Sequence, residues 1–128
     1  MNVLLCCAAV RALLVGIVHS VLGERLVFSR MRARSDGLVP TNGAPLLREK
    51  HVRILWATWH LASVFGWAMS ALLLWLALEP RPGGAQVLIE RAVTVAMVVG
   101  SLLVFIGTRA RHPGWVGLLG VAVLVWLS

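Results

Sequence analysis

The side chains of this 128-residue chain best suited to chemistry are its four histidines and Glu24, which lie in or beside apolar stretches. In the second apolar stretch, about residues 52–78, polar and aromatic residues recur at every third or fourth position. This spacing places them along one stripe of a helix. They are Arg53, Trp56, His60, Ser63, Trp67 and Ser70. The first apolar stretch, about residues 3–28, carries His19. Ser20 and Glu24 lie on an adjoining line of the same helix. Ionisable groups in apolar segments are costly and tend to mark functional sites, so we expect a polar seam.

Histidine and carboxylate side chains suggest metal chemistry first. His19, His60 and Glu24 could supply a set of two histidines and one carboxylate, and His19 and His60 could ligate a haem if their depths match. The sequence lacks HxxxH, ExxH and CxxC spacings, and His19 and Glu24 are separated by about 140° around a helix. A structural role is an alternative to both the metal site and the haem site. In that role His60 forms a hydrogen bond to Glu24 or to a backbone carbonyl.

Two other kinds of site could use the same residues. No serine has a recognisable base and orienting group, so an enzymatic nucleophile is not expected. An anion site has better support, because Arg53, Arg109 and Arg111 accompany the histidines and suit a lipid phosphate or a small carboxylate. The candidate polar site comprises His19, Glu24, Arg53, His60, Arg109 and His112.

Membrane-spanning helices must position these residues. The stretch from Ile54 to Leu78 has no ionisable group other than His60, and its 25 residues are enough to cross a hydrocarbon layer of about 30 Å. Hydrophobic residues make up 59% of the chain and charged residues 13%, against about a quarter charged in soluble domains. We predict an all-α polytopic membrane protein, a compact bundle of four transmembrane helices in one domain. The expected spans are about 3–28, 52–78, 86–108 and 113–128.

Glycines indicate where these helices approach one another closely. Gly16 and Gly23 flank His19 at helical spacing, and Gly117 and Gly120 lie on the fourth helix. Small residues allow helix backbones to come close in lipid. We therefore expect these four glycines to be helix-packing positions.

The charge distribution predicts the orientation. The net charge is +7, and nine cations fall in the 29–51 loop, at the ends of its flanking helices, or between the third and fourth helices. They are Arg25, Arg30, Arg32, Arg34, Arg48, Lys50, Arg53, Arg109 and Arg111. Cytoplasmic loops are rich in Lys and Arg, so this face is expected to be cytoplasmic and both termini outside. Nucleic acid is not an expected partner, because no basic helix or stacking platform accompanies the charge.

Three segments carry a resemblance to known proteins. They are HSVLGE from His19, RILWATWHLAS from Arg53, and GTRARHPGW from Gly107. In order and spacing they resemble a family of small, uncharacterised four-helix proteins of the bacterial inner membrane. The resemblance implies four spans and that membrane, and no activity, cofactor or partner. The segment from Arg30 to Pro45 departs from the family pattern, so no function is assigned to it.

Several functions fit these observations. The first is an accessory or assembly subunit, or a ligand-binding helix bundle with its polar site at the cytoplasmic end. One alternative is a redox protein that binds haem or a metal through His19 and His60, and another is a small proton-coupled transporter acting as an oligomer. Expected partners are membrane lipids, including anionic headgroups, and a larger membrane complex or further copies of the chain. An enzymatic activity is not favoured.

Overall fold

Four helices account for nearly all of the described chain. The computed structural model describes residues 1–29, 49–79 and 83–128. Helix α1 spans Val3–Leu22 and continues as a π-helical turn over Gly23–Phe28; α2 spans Glu49–Leu78, α3 Gly84–Gly107 and α4 Gly114–Trp126. The described residues contain no strand, and the prediction of an all-α membrane bundle is confirmed. Most of the expected basic loop, 29–51, lies outside the described residues.

Three of the helices are long and apolar enough to cross a membrane, namely Val3–Phe28, His51–Leu78 and Gly84–Gly107. Helix α4 is apolar but has only 13 residues. At about 1.5 Å per residue it extends about 20 Å, less than the hydrocarbon thickness of about 30 Å. The described residues thus contain three helices of spanning length where the sequence predicted four, and α4 is shorter than the predicted 113–128 span.

Hydrogen bonds near the chain ends show that the helices alternate in direction. The backbone N–H of Asn2 donates to the carbonyl of Ala77 over 2.9 Å, and its side-chain amide donates to the carbonyl of Ser128 over 3.3 Å. The Arg91 guanidinium lies 4.0 Å from the ring centre of Trp126. Both chain termini thus lie at one end of the bundle, here called the terminal end. The opposite end, with His19, Glu24, His60 and His112, is called the histidine end.

Helix α1 packs against α2 on one side and α4 on the other, and α3 packs against α4. The core is small and lies toward the terminal end. It comprises Leu5, Ala8, Ala9, Ala12, Leu73, Leu76, Ala77, Val93, Val121 and Val125. Because α1 contributes mainly alanines to it, the neighbouring backbones come close enough for the Ser70 hydroxyl to donate to the carbonyl of Ala9 over 2.7 Å.

The glycines expected at helix contacts lie against large side chains of neighbouring helices. A Cβ added at Gly16 would lie 2.7 Å from Trp67 Nε1, and one added at Gly117 would lie 2.8 Å from Val15 Cγ2. At Gly23 it would overlap the indole of Trp59, and at Gly120 the guanidinium of Arg11. At each of these four positions a neighbouring side chain occupies the space that a larger residue would need.

Arg11 fastens α4 to α1. Its Nε donates to the carbonyl of Gly117 and its Nη2 to the carbonyl of Val116, each over 3.0 Å. Arg11 makes no ion pair with a carboxylate in the described part of the chain. A cation placed eight residues into a spanning helix is costly, so these two carbonyls provide the hydrogen bonding that water would otherwise supply.

We predict that Gly120→Ala separates α4 from α1. The added methyl group displaces the Arg11 guanidinium from both carbonyls, which should lower the free energy of unfolding by about 1–2 kcal/mol. Gly100→Ala is the matched control, because its added Cβ meets only Leu118 Cδ1 at 3.5 Å. Unfolding of the purified protein in mixed micelles measures both variants. Equal stabilities would show that the Arg11 guanidinium does not hold α4 against α1.

Candidate functional site

A chain of polar contacts at the histidine end links α1 and α2. The hydroxyl of Ser20 lies 2.8 Å from His60 Nδ1, and His60 Nε2 lies 3.6 Å from Glu24 Oε2. The indole N–H of Trp56 donates to the same Glu24 oxygen over 3.1 Å. His60 is thus held between two side chains that lie one turn apart on α1. Sequence reasoning placed Ser20 and Glu24 on one line of α1, yet it missed the serine as a partner of His60.

A π-helical turn, Gly23–Phe28, carries Glu24. The N–H of Ser29 donates to the carbonyl of Glu24, five residues earlier, which is the pattern of this wider turn. Such turns are rare and often occur at functional sites. The wider turn places Phe28, which is buried, 5.9 Å from the ring centre of Trp59 and 6.2 Å from that of His60. The end of α1 therefore closes over the aromatic residues of α2.

His19 and Trp59 form a second pair beside this chain. Their ring centres are 4.3 Å apart and the rings are inclined by only 7°. The indole N–H of Trp59 also donates to the backbone carbonyl of His19 over 3.0 Å. The space for this indole exists because residue 23 is glycine. Stacking and hydrogen bonding together fix the orientation of the His19 ring.

Three buried polar atoms at this end have no hydrogen-bond partner. Among the described residues they are His19 Nε2, His60 Nε2 and Ser63 Oγ. His60 Nε2 lies near Glu24 but beyond hydrogen-bonding distance. Buried polar atoms are nearly always hydrogen-bonded, and leaving one unpaired costs about 1–3 kcal/mol. These three atoms lie on neighbouring turns of α1 and α2.

A surface groove of about 350 Å³ lies between α1 and α2 at the histidine end. It is called the groove below. His19 and Trp59 line it together with the apolar residues Val27, Phe28 and Leu55, and with Thr58 and Ala62. This volume lies in the range of small-molecule sites, about 300–1,000 Å³. The groove is therefore large enough for part of an elongated apolar molecule.

The other residues of the predicted site lie at the same end. Arg53 and Arg109 are exposed, and Arg109 has a positive φ of 50° in the short link between α3 and α4. His112 ends that link, and its Nδ1 accepts the backbone N–H of Gly114 over 3.0 Å, which caps α4. Val15 of α1 lies against Gly117 of α4, which places His112 near the level of His19. The structure therefore brings His19, Glu24 and His60 into one cluster, with His112 beside it.

A metal or haem held by His19 and His60 fits this geometry poorly. The described residues include no group of three histidine, cysteine or acidic side chains placed to hold a metal ion. Both ring nitrogens of His60 face side chains of α1, one at Ser20 and one at Glu24. Ligation through His60 would require that one of these contacts be broken.

We predict that His60→Ala destabilises the bundle. The substitution removes the Ser20 contact and leaves the partly buried Glu24 carboxylate without its histidine, which should lower the free energy of unfolding by about 1–3 kcal/mol. His51→Ala is the matched control, since His51 is exposed on the same helix. The midpoint of thermal unfolding in detergent compares the two variants. A His60→Ala protein as stable as the control would remove this residue from the centre of the site.

Comparison with known protein families, with curated proteins and with solved structures finds no match to this chain. The resemblance to a family of small inner-membrane proteins thus stays a prediction. The function must be inferred from the geometry of the histidine end.

Proposed function

We propose that this protein is a small ligand-binding helix bundle of the bacterial inner membrane, with its binding site at the histidine end. The observation that carries the proposal is the pair of buried atoms without a hydrogen-bond partner, His19 Nε2 and Ser63 Oγ, on the two helices that the contact between His60 and Glu24 joins. A ligand with polar atoms offers these groups the partners that the protein does not provide. The groove, whose lining includes His19, offers space for the rest of that ligand.

Binding is favoured over acyl transfer, although Ser20, His60 and Glu24 have the composition of a nucleophilic triad. Ser20 lies inside helix α1. The backbone N–H groups of such a segment are bonded within the helix, so they cannot form an oxyanion hole for an acyl group attacked by Ser20. The hydroxyl is better suited to fixing the ring of His60, so that His60 Nε2 is presented beside Glu24.

The orientation follows from the charges. Arg25, Arg53, Arg109 and Arg111 are exposed at the histidine end, and four further cations, Arg30, Arg32, Arg34 and Arg48, lie in the sequence between α1 and α2. By the positive-inside rule this end faces the cytoplasm and both termini are periplasmic. The same cations attract anionic lipid headgroups, at about 1 kcal/mol for each Lys or Arg near the surface.

This orientation predicts that reporters fused to the two termini behave alike. Alkaline phosphatase should be active and green fluorescent protein dark at either end, because both termini face the periplasm. The bond between Asn2 and Ser128 supports the common location of the termini. A reporter inserted in the 30–48 segment should show the reverse pattern. Termini in different compartments would refute the fourth crossing and the proposed orientation.

The binding function predicts an unusual response to Ser63→Ala. Removal of an unpaired buried hydroxyl should leave thermal stability equal or raise it, while retention of a co-purifying small molecule falls. Native mass spectrometry and a visible spectrum of protein purified in mild detergent measure the occupancy. Ser29→Ala is the control, because Ser29 is exposed and donates only to its own helix.

Other outcomes of that purification would replace the proposal. A stoichiometric protein partner with no small molecule would establish an accessory or assembly subunit. A haem absorption band that is lost in both His19→Ala and His60→Ala would establish the redox alternative. Proton flux in liposomes that is abolished by Glu24→Gln would establish transport.

A further inference from the structure

Arg11 has hydrogen-bond donors that the protein does not use. Its Nε and Nη2 donate to the carbonyls of Gly117 and Val116, which occupies one side of the guanidinium. Nη1 makes no hydrogen bond to the described residues. It is also not one of their buried unpaired atoms, so it lies at the protein surface. One N–H of Nη1 and one of Nη2 therefore remain side by side, in the geometry that binds both oxygens of a carboxylate.

The guanidinium lies within the span of α1. Arg11 comes eight residues after Val3 and 17 residues before Phe28, the two ends of this span, which is about 12 Å and about 25 Å along the helix. Its carbonyl partners belong to the first turn of α4, the end of that helix farther from the chain termini. The side chain is thus held inside the span and is not extended toward the headgroups at the terminal end.

The acidic residues of the described chain lie at the two ends of the bundle. Glu24 and Glu49 belong to the histidine end, where the first helix ends and α2 begins, and Glu79 and Glu90 lie toward the terminal end. Arg11 has no ion pair within the described structure. Carbonyl groups provide hydrogen bonds but no net negative charge. An ionised group inside a membrane tends to pair with an opposite charge, so Arg11 would gain from an anion at its own depth.

Exposed side chains on two helices surround Arg11. They recur at helical spacing, so each set forms one stripe, and Arg11 falls at the same spacing within the stripe on α1. The stripes consist of Leu4, Cys7, Leu14 and Val18 of α1 and of Val116, Leu119 and Val123 of α4. The bond of Arg11 to the carbonyl of Val116 joins the two stripes into one surface, here called the α1–α4 face. A helix that packs on this face would cover apolar surface and place one of its side chains against Nη1.

We propose that the α1–α4 face binds a transmembrane helix of a partner protein that carries Asp or Glu at the depth of Arg11. The carboxylate accepts hydrogen bonds from Nη1 and Nη2, and the apolar side chains of the partner helix pack on the two stripes. Charge complementarity selects this partner, because an uncharged helix leaves the guanidinium without an anion and a basic helix is repelled. A second copy of the chain in the same orientation does not fit, since its described acidic residues lie at the ends of the bundle.

Disulfide cross-linking in liposomes tests the proposal, with Cys7 as the probe. Cys7 is exposed one turn from Arg11 on the same stripe, and Cys6→Ala makes it the only cysteine of the chain. The full-length protein is reconstituted with a polyleucine transmembrane peptide that has Glu about 12 Å from one end of its apolar segment and a cysteine one turn nearer that end. We expect the Glu peptide to cross-link at least fivefold faster than the same peptide with Gln or Leu. A Lys peptide should be the slowest.

Control variants locate the contact. Ala92→Cys, exposed on α3, serves as the only cysteine after both native cysteines are replaced by Ala, and its cross-linking should be equal for the Glu and Leu peptides. Arg11→Leu should abolish the preference of Cys7 for the Glu peptide. The peptide series keeps Arg11 in place, so it decides the question even where Arg11→Leu does not fold.

Three results would overturn the proposal. Equal cross-linking of Cys7 to the Glu, Gln and Leu peptides would show that the two carbonyls, or a lipid phosphate drawn to Arg11, are enough for this side chain. A preference for Glu that is equally strong at Ala92→Cys would show that the α1–α4 face is not the contact. A preference that persists in folded Arg11→Leu would show that the guanidinium does not select the partner.

Discussion

Close approach of α1 to two neighbouring helices is the constraint on which this structure depends. In lipid, helices gain little from burying apolar surface against one another, so contact must come from tight packing and hydrogen bonds. Helix α1 meets this requirement on both sides. Toward α2 it presents Gly16 and Gly23, over which Trp67 and Trp59 lie. Toward α4 it presents Arg11, whose bonds to two carbonyls need the space left by Gly120.

The same close approach creates the candidate site. Because residue 23 has no side chain, Trp59 lies against α1, stacks on His19 and bonds to its carbonyl. This arrangement fixes the imidazole but leaves its Nε2 without a protein partner. Helix packing and the geometry of the candidate site are therefore coupled at Gly23, where any substitution would disturb both. Ala62 lines the groove and is exposed, so a substitution there can change the groove without changing the helix contact.

The features predictable from sequence are those that depend on local pattern. Apolar length alone predicted the helices, and the helical spacing of polar residues predicted that His60 and Ser63 share a face of α2. The pairing of Ser20 with His60 depends on the relative rotation and depth of two helices, which no spacing within one helix encodes. The π-helical turn at Glu24 likewise arises where the chain packs on Trp59. The partners of Arg11 are backbone carbonyls, and these have no signature in the sequence.

The length and position of α4 determine where the link between α3 and α4 lies beside α1. Its 13 residues are fastened near their start by Arg11, which sets the level of the preceding link beside His19 rather than at the end of α1. A helix of full spanning length held at the same contacts would carry the link past His19, toward the end of α1. The shortness of α4 is thus the reason why the α1–α2 pair extends past this link. An arginine inside a membrane-spanning helix is costly to place. In this protein Arg11 bears that cost and holds the short helix α4 against α1.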